Sequence, residues 1–165
     1  MSTDAGESDA ALVTRAIAGD DAAFATLVSR HKAWAQRFIR RYVGSHDDEA
    51  YDLLQETFFA AWLALSSYRA EWSFATWLRR IALNKCRDRS RRNLGRRFLT
   101  GQHVDGDETP EMPDPAPGPE AQASADQQFR LLERAVVSLP RSLKEPLLLT
   151  ALEGLSHREA GELLG

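Results

Sequence analysis

Residues 73–97 read SFATWLRRIALNKCRDRSRRNLGRR. Phe74, Trp77, Leu78, Ile81, Ala82 and Cys86 recur at three- and four-residue spacing, the apolar stripe of an amphipathic helix. Ser73 stands where such a helix takes its N-cap. The other face carries Arg79, Arg80, Asn84, Arg87 and Arg91. Nine basic residues and one acid, Asp88, fall between Arg79 and Arg97. Favourable charge at a helix C-terminus needs far fewer cations. A face of this density suits several phosphates of a nucleic acid.

Upstream, the same periodicity predicts three more helices. Leu12, Val13, Ala16 and Ile17 share one face of the first. Asp20 caps the second, which carries Phe24, Leu27, Val28, Trp34, Phe38 and Tyr42, and Gly44-Ser45 breaks it. The third runs from about Asp47 to Leu65, with Leu53, Leu54, Phe58, Ala61, Trp62 and Leu65 inward. A loop, Ser66–Trp72, joins it to the basic helix. No alternating strand pattern is present, so residues 9–97 are expected to form a helical bundle.

Downstream, residues 98–127 read as a linker. Five of the seven prolines lie there, and residues 101–128 hold seven acids and no base. Such a stretch buries too little to offset ordering entropy and is expected to be extended and mobile. Residues 128–165 then give three short helices. Leu131, Leu132, Ala135, Val136 and Leu139 line the first, and Pro140 ends it. Ser142/Glu145 and Ser156/Glu159 both have capping-box spacing, although Pro146 falls inside the second helix. Gly154 stops the second helix, and Ala160, Leu163 and Leu164 are the buried positions of the third. The expected fold class is all-α: an N-terminal helical bundle and a small C-terminal helix-turn-helix-type domain joined by a flexible linker.

Whole-chain arithmetic conceals this organisation. The 165 residues hold 21 basic and 24 acidic side chains, net −3. That average contains a +8 block over residues 76–100 directly followed by a −7 block over 101–128. No apolar run approaches the roughly 18 residues of a membrane span, and the acidic N-terminus lacks a signal peptide's basic and apolar parts. No membrane insertion and a cytoplasmic location are expected. Cys86 is the single cysteine, and His31, His46, His103 and His157 are scattered, so no metal and no cofactor are expected. Neither a Gly-rich phosphate loop nor a zinc-binding His pair nor a nucleophile elbow is present. A helical metal-dependent hydrolase would need a second carboxylate helix that the sequence lacks. The expectation is a protein that is not an enzyme.

Two further groups carry binding chemistry. Tyr68, Trp72, Phe74 and Trp77 precede the basic face. Phe74 and Trp77 belong to the inward stripe, which leaves Trp72 in the loop as the candidate for stacking on an unpaired base. Asn84, on the exposed face, either bonds a base edge or is merely solvated. On the third helix, Asp47, Asp48 and Glu49 suit the helix dipole. Asp52, Gln55 and Glu56 lie deeper and form a polar stripe fitted to a basic partner helix.

With these residues in place, a family likeness emerges. The run Tyr51-Asp52-Leu53-Leu54-Gln55-Glu56-Thr57-Phe58, then Ala61-Trp62, Ala64-Leu65 and Phe74 through Asn84, closely resembles bacterial sigma factors of the extracytoplasmic-function group. Leu139-Pro140, Leu147-Leu148-Leu149, Leu152 to Ser156, Glu159 and Glu162 to Gly165 look like the start of that family's C-terminal domain. The resemblance implies a sigma second-region domain over 9–97, an acidic linker over 98–127, and an incomplete fourth-region domain over 128–165. It implies three partners: core RNA polymerase, promoter DNA and an anti-sigma factor. Carried over by position, Asp52, Leu53, Gln55 and Glu56 match the polymerase-binding helix. Tyr68, Trp72, Arg80, Asn84, Lys85, Arg87 and Arg91 match the minus-ten DNA surface, where a base flipped from the non-template strand is held. The sequence stops at Gly165, before the family's minus-thirty-five recognition helix, so Arg158 is at most a phosphate contact. A competing expectation is a sigma-like decoy that sequesters an anti-sigma factor without initiating transcription.

Overall fold

The structure is a computed structural model that describes residues 6–44, 47–99 and 121–165. Its helices are α1 (Asp9–Ile17), α2 (Asp21–Val43), α3 (Asp47–Ala64), a 3₁₀ turn (Leu65–Ser67), α4 (Phe74–Leu99), α5 (Ala121–Ser138), α6 (Arg141–Leu147), a π-helical turn (Leu148–Leu152) and α7 (His157–Leu164). Among the described residues there is no strand.

Local chemistry sets the helix ends. Ser8 Oγ accepts from the Ala11 amide, and Asp20 Oδ1 accepts from the amides of Ala22 and Ala23 at 3.0 and 3.2 Å. Arg15 holds the other Asp20 oxygen at 2.6 Å. At the α4 entry, the Thr76 amide donates to Ser73 Oγ at 3.1 Å, as the sequence predicts. Gly44 ends α2 at φ 93, ψ 179, a conformation essentially restricted to glycine.

Helix α2 is the centre of the bundle and packs against α1, α3 and α4. Leu12, Leu27, Phe38, Ile39, Leu53, Leu54, Leu65, Phe74, Leu78 and Leu83 are all buried in one core. Each such side chain contributes roughly 1.5–3 kcal/mol by leaving water. The C-terminal helices lie on this bundle: α5 and the π turn contact α2, and α7 contacts α4. Leu148, Leu149, Ala160 and Leu163 join the same apolar cluster.

Three expectations change. Trp62 is not fully inward; it is 38% exposed and sits edge-on to Phe24, with centroids 4.9 Å apart. Helix α5 begins at Ala121, inside the segment read as linker. Residues 100–120 of that segment lie outside the described residues. The Ser142/Glu145 capping box does not form: α6 starts at Arg141 with Pro140 as N-cap and no side-chain cap. The Glu145 carboxylate is engaged across the domain boundary instead. The Ser156/Glu159 box does form, with Ser156 Oγ accepting from the Glu159 amide at 3.2 Å and the Ser156 amide donating to Glu159 at 2.8 Å.

Candidate nucleic-acid interface

Helix α4 sorts its cations into three sets. Lys85 and Arg89 lean toward α3, 3.9 and 3.6 Å from Glu56, and Arg89 also approaches Glu49 at 3.8 Å. Arg79 and Arg87 lean toward the C-terminal helices. Arg80, Arg91 and Arg92 project outward with Asn84 and are exposed. Positions 80, 84 and 91 recur at helical spacing, so one solvent-facing stripe carries two guanidiniums and an amide. Arg91 pairs with exposed Asp88 at 3.0 Å. This stripe can contact phosphates and offer an amide to a base edge. The side chains of Arg96 and Arg97 lie outside those described.

The loop before α4 is built on Tyr68. Its hydroxyl donates to the Trp72 carbonyl at 2.6 Å, and its ring packs edge-on against Phe74 and Trp77, at 6.1 and 5.5 Å. Burial, reinforced by the Asp9 charge, raises the Tyr68 phenol above its ordinary value. Tyr68 therefore positions the loop and has little face left for a base. Trp72 is 37% exposed and keeps aromatic surface in solvent.

On α3 the polar stripe is at the surface, with Asp52 and Gln55 exposed and Glu56 half-buried. Leu53 is a correction: it is 0% exposed, so its side chain packs the core and has no surface to give a partner. The surface gains residues that sequence reasoning missed. Tyr51, Phe59 and Leu63 are 52%, 64% and 65% exposed on the same helix. Their signal was present, since none falls in the 53/54/58/61/62/65 inward set. Large apolar groups flanking exposed acids make this face a suitable seat for an amphipathic partner.

Arg87 is the other correction, because its fork is already occupied. Arg87 Nε donates to Glu145 Oε1 at 2.9 Å, and Nη2 donates to Oε2 at 2.7 Å. The Tyr42 hydroxyl donates to Oε1 at 2.8 Å, and Arg141 Nε lies 2.9 Å from the same atom. Burial alone raises the Glu145 carboxyl. The hydrogen bonds from Arg87 and Tyr42, with the Arg87 and Arg141 charges, outweigh it and hold the group below the usual carboxylate range. The same pairing holds Arg87 above its ordinary value. Nearby, burial pushes the Cys86 thiol up to about 12, leaving it protonated and inert. Arg158 is exposed on α7. Among the described residues, no group of His, Cys, Asp and Glu is placed to hold a metal ion. No described helix is long and apolar enough to cross a membrane.

A basic helix behind an aromatic loop, on a bundle with an acidic-aromatic flank, is the architecture of a known family. Residues 27–96 match the Sigma-70 region 2 family model. The RNA polymerase sigma factor NccH of Alcaligenes xylosoxydans xylosoxydans is 39% identical, over 95% of this chain and 83% of that protein. The ECF RNA polymerase sigma-E factor of Haemophilus influenzae is 32% identical, over 95% of this chain and 84% of its own length. A solved structure of CnrH in complex with the cytosolic domain of CnrY superposes with a TM-score of 0.65. It shares 28% identity and covers 96% of this chain and 84% of that one. The chain belongs to the extracytoplasmic-function group of RNA polymerase sigma factors, which are regulatory proteins rather than enzymes.

Proposed function

We propose that this chain is a cytoplasmic alternative sigma factor that docks on core RNA polymerase through α3 and opens promoter DNA with the α4 face. The observation that carries the reading is the outward stripe Arg80, Asn84 and Arg91, on the helix that Trp72 and its loop precede. Asp52, Gln55 and Glu56, with Tyr51 and Phe59, form the polymerase seat. Trp72 stacks on an unpaired minus-ten base, Asn84 bonds its edge, and Arg80 and Arg91 hold the strand's phosphates. Residues 9–97 act as the second-region domain, the stretch between it and α5 as a linker, and α5 to α7 as the fourth-region domain, where Arg158 contacts phosphate. An anti-sigma protein regulates the chain. The partner seated on CnrH in its solved complex supports that role, since the two chains share this fold.

The test is run-off transcription by purified core polymerase on fragments of bacterial genomic DNA. Transcripts that depend on the added chain are expected. Their complete absence, with the chain folded and core active, would defeat the reading.

A further inference from the structure

His31 is a half-buried titratable side chain that neither the α3 seat nor the α4 stripe uses. It stands on α2 and keeps 16% side-chain exposure. Its Nε2 donates to Asp9 Oδ2 at 2.7 Å. An ionised carboxylate only accepts, so the proton is on that nitrogen. The other Asp9 oxygen accepts from Arg30 Nη1 at 3.0 Å, and the same Nη1 donates to the Glu7 carbonyl at 2.7 Å. Two neighbours on α2 thus hold both oxygens of one carboxylate at the start of α1. The imidazole is fixed in direction as well as in place.

That direction matters because of what the ring touches. His31 packs against Phe74, with centroids 5.2 Å apart and planes tilted by 54°. Phe74 is 1% exposed, opens α4 and meets the Tyr68 ring edge-on at 6.1 Å. The Tyr68 hydroxyl in turn donates to the Trp72 carbonyl at 2.6 Å. A chain of contacts therefore runs from α1 through α2 and α4 to the loop residue that keeps an aromatic face in solvent. Helix α1 also touches the 3₁₀ turn just before Tyr68. The Tyr68 phenol is raised by burial first and by the Asp9 charge second, so the carboxylate is felt at the loop's own anchor. A leucine or phenylalanine would fill the space beside Phe74 with no polar atom to satisfy. An imidazole tied to a carboxylate adds orientation rather than burial. Aromatic contacts are directional, so a ring held at one angle selects a position for its neighbour.

We propose that His31, oriented by Asp9, is a positioning residue for strand capture: it sets the Phe74–Tyr68 platform that holds Trp72 out for an unpaired base. This rests on the reading of Trp72 as a stacking residue. His31 itself touches no DNA. It restricts the loop before DNA arrives, so less ordering is needed when a base stacks.

The experiment uses the full chain labelled with 6-fluorotryptophan, its Trp72 fluorine resonance identified by its loss in Trp72→Phe. His31→Ala is compared with wild type by that resonance. Affinity for a fluorescein-labelled 20-nucleotide single strand of mixed sequence is read by anisotropy. In His31→Ala the Trp72 resonance is expected to move toward that of free 6-fluorotryptophan. Strand affinity is expected to fall about fivefold, the size of one aromatic contact. On a Trp72→Ala background, His31→Ala is expected to cost nothing further, because its effect passes through Trp72. A general weakening of the bundle would persist there. If His31→Ala loses helicity, His31→Gln carries the same expectations, since it keeps a donor for Asp9 and removes only the ring. An unmoved Trp72 resonance in the folded variant overturns the positioning role, and that readout needs no DNA. Unchanged strand affinity overturns it too, as does an equal loss on both backgrounds. Trp72→Ala alone tests the underlying reading: if it binds the strand as wild type does, the stacking role falls and His31 has nothing to position.

Discussion

Arg87 on α4 and Glu145 on α6 stand 58 residues apart in sequence and are joined by two hydrogen bonds of 2.9 and 2.7 Å. The bond pair couples the cation face of the bundle to the C-terminal helices, with Tyr42 of α2 as third member.

Acid should loosen this junction. The docked Glu145 carboxyl lies below its ordinary value of 4.5, so docking is favoured above that value by the ionised form. The contribution is lost as pH falls through the lower, docked-state value. Interdomain energy transfer followed from pH 7 downward should hold steady and then drop below about 4.5. Glu145→Gln should show no such step. A wild-type profile that matches the Glu145→Gln profile would remove Glu145 from the account.

Adjacent residues of α3 should separate structure from binding. Leu53→Ala empties a fully buried site and should cost about 3 kcal/mol, lowering Tm by several degrees. Asp52→Ala alters an exposed carboxylate and should leave Tm within a degree or two. Thermal unfolding followed by far-UV circular dichroism reads both. A large Tm loss in Asp52→Ala would mark that residue as structural.

The Ser66–Trp72 loop should divide in the same way. Trp72→Ala removes an exposed stacking face and should weaken single-strand binding by about 1–3 kcal/mol with little change in stability. Tyr68→Phe removes the bond to the Trp72 carbonyl, at a cost near 1 kcal/mol, and should speed amide exchange in the loop. Fluorescence anisotropy and hydrogen exchange provide the two measurements.

Ser156→Ala removes the hydroxyl half of the α7 capping box, the acceptor for the Glu159 amide, and leaves the Ser156 amide free to donate to Glu159. A cost of about 1 kcal/mol is expected, seen as faster amide exchange in the first turn of α7. Ser142→Ala should change little, because Ser142 caps nothing.

The helices were legible because their signals are local. The Phe74/Leu78/Ala82/Cys86 stripe, the Asp20 and Ser73 caps and the Ser156/Glu159 box each lie within one or two turns of chain. The early start of α5 was legible in a weaker form. Its first residues, Ala121 to Gln128, are mostly Ala and Gln, strong helix formers without an apolar stripe. Glu145 was not legible. Its spacing to Ser142 satisfies a local rule, but Arg87, Tyr42 and Arg141 offer it stronger partners in the folded chain. A three-residue pattern carries no information about an arginine 58 positions away. Leu53 carries two sequence readings: the helix phase places it inward, as observed, and only the family motif, carried over as a unit with Asp52 and Gln55, places it on the partner face.

In the proposed function this chain seats on core RNA polymerase through the exposed face of α3. The most direct measurement is a titration of dye-labelled chain with purified core, read by anisotropy. Saturable binding is expected, weakened about tenfold or more by Asp52→Ala/Gln55→Ala with helicity unchanged. Absence of saturable binding by wild type, or equal affinity of the two forms, would contradict it.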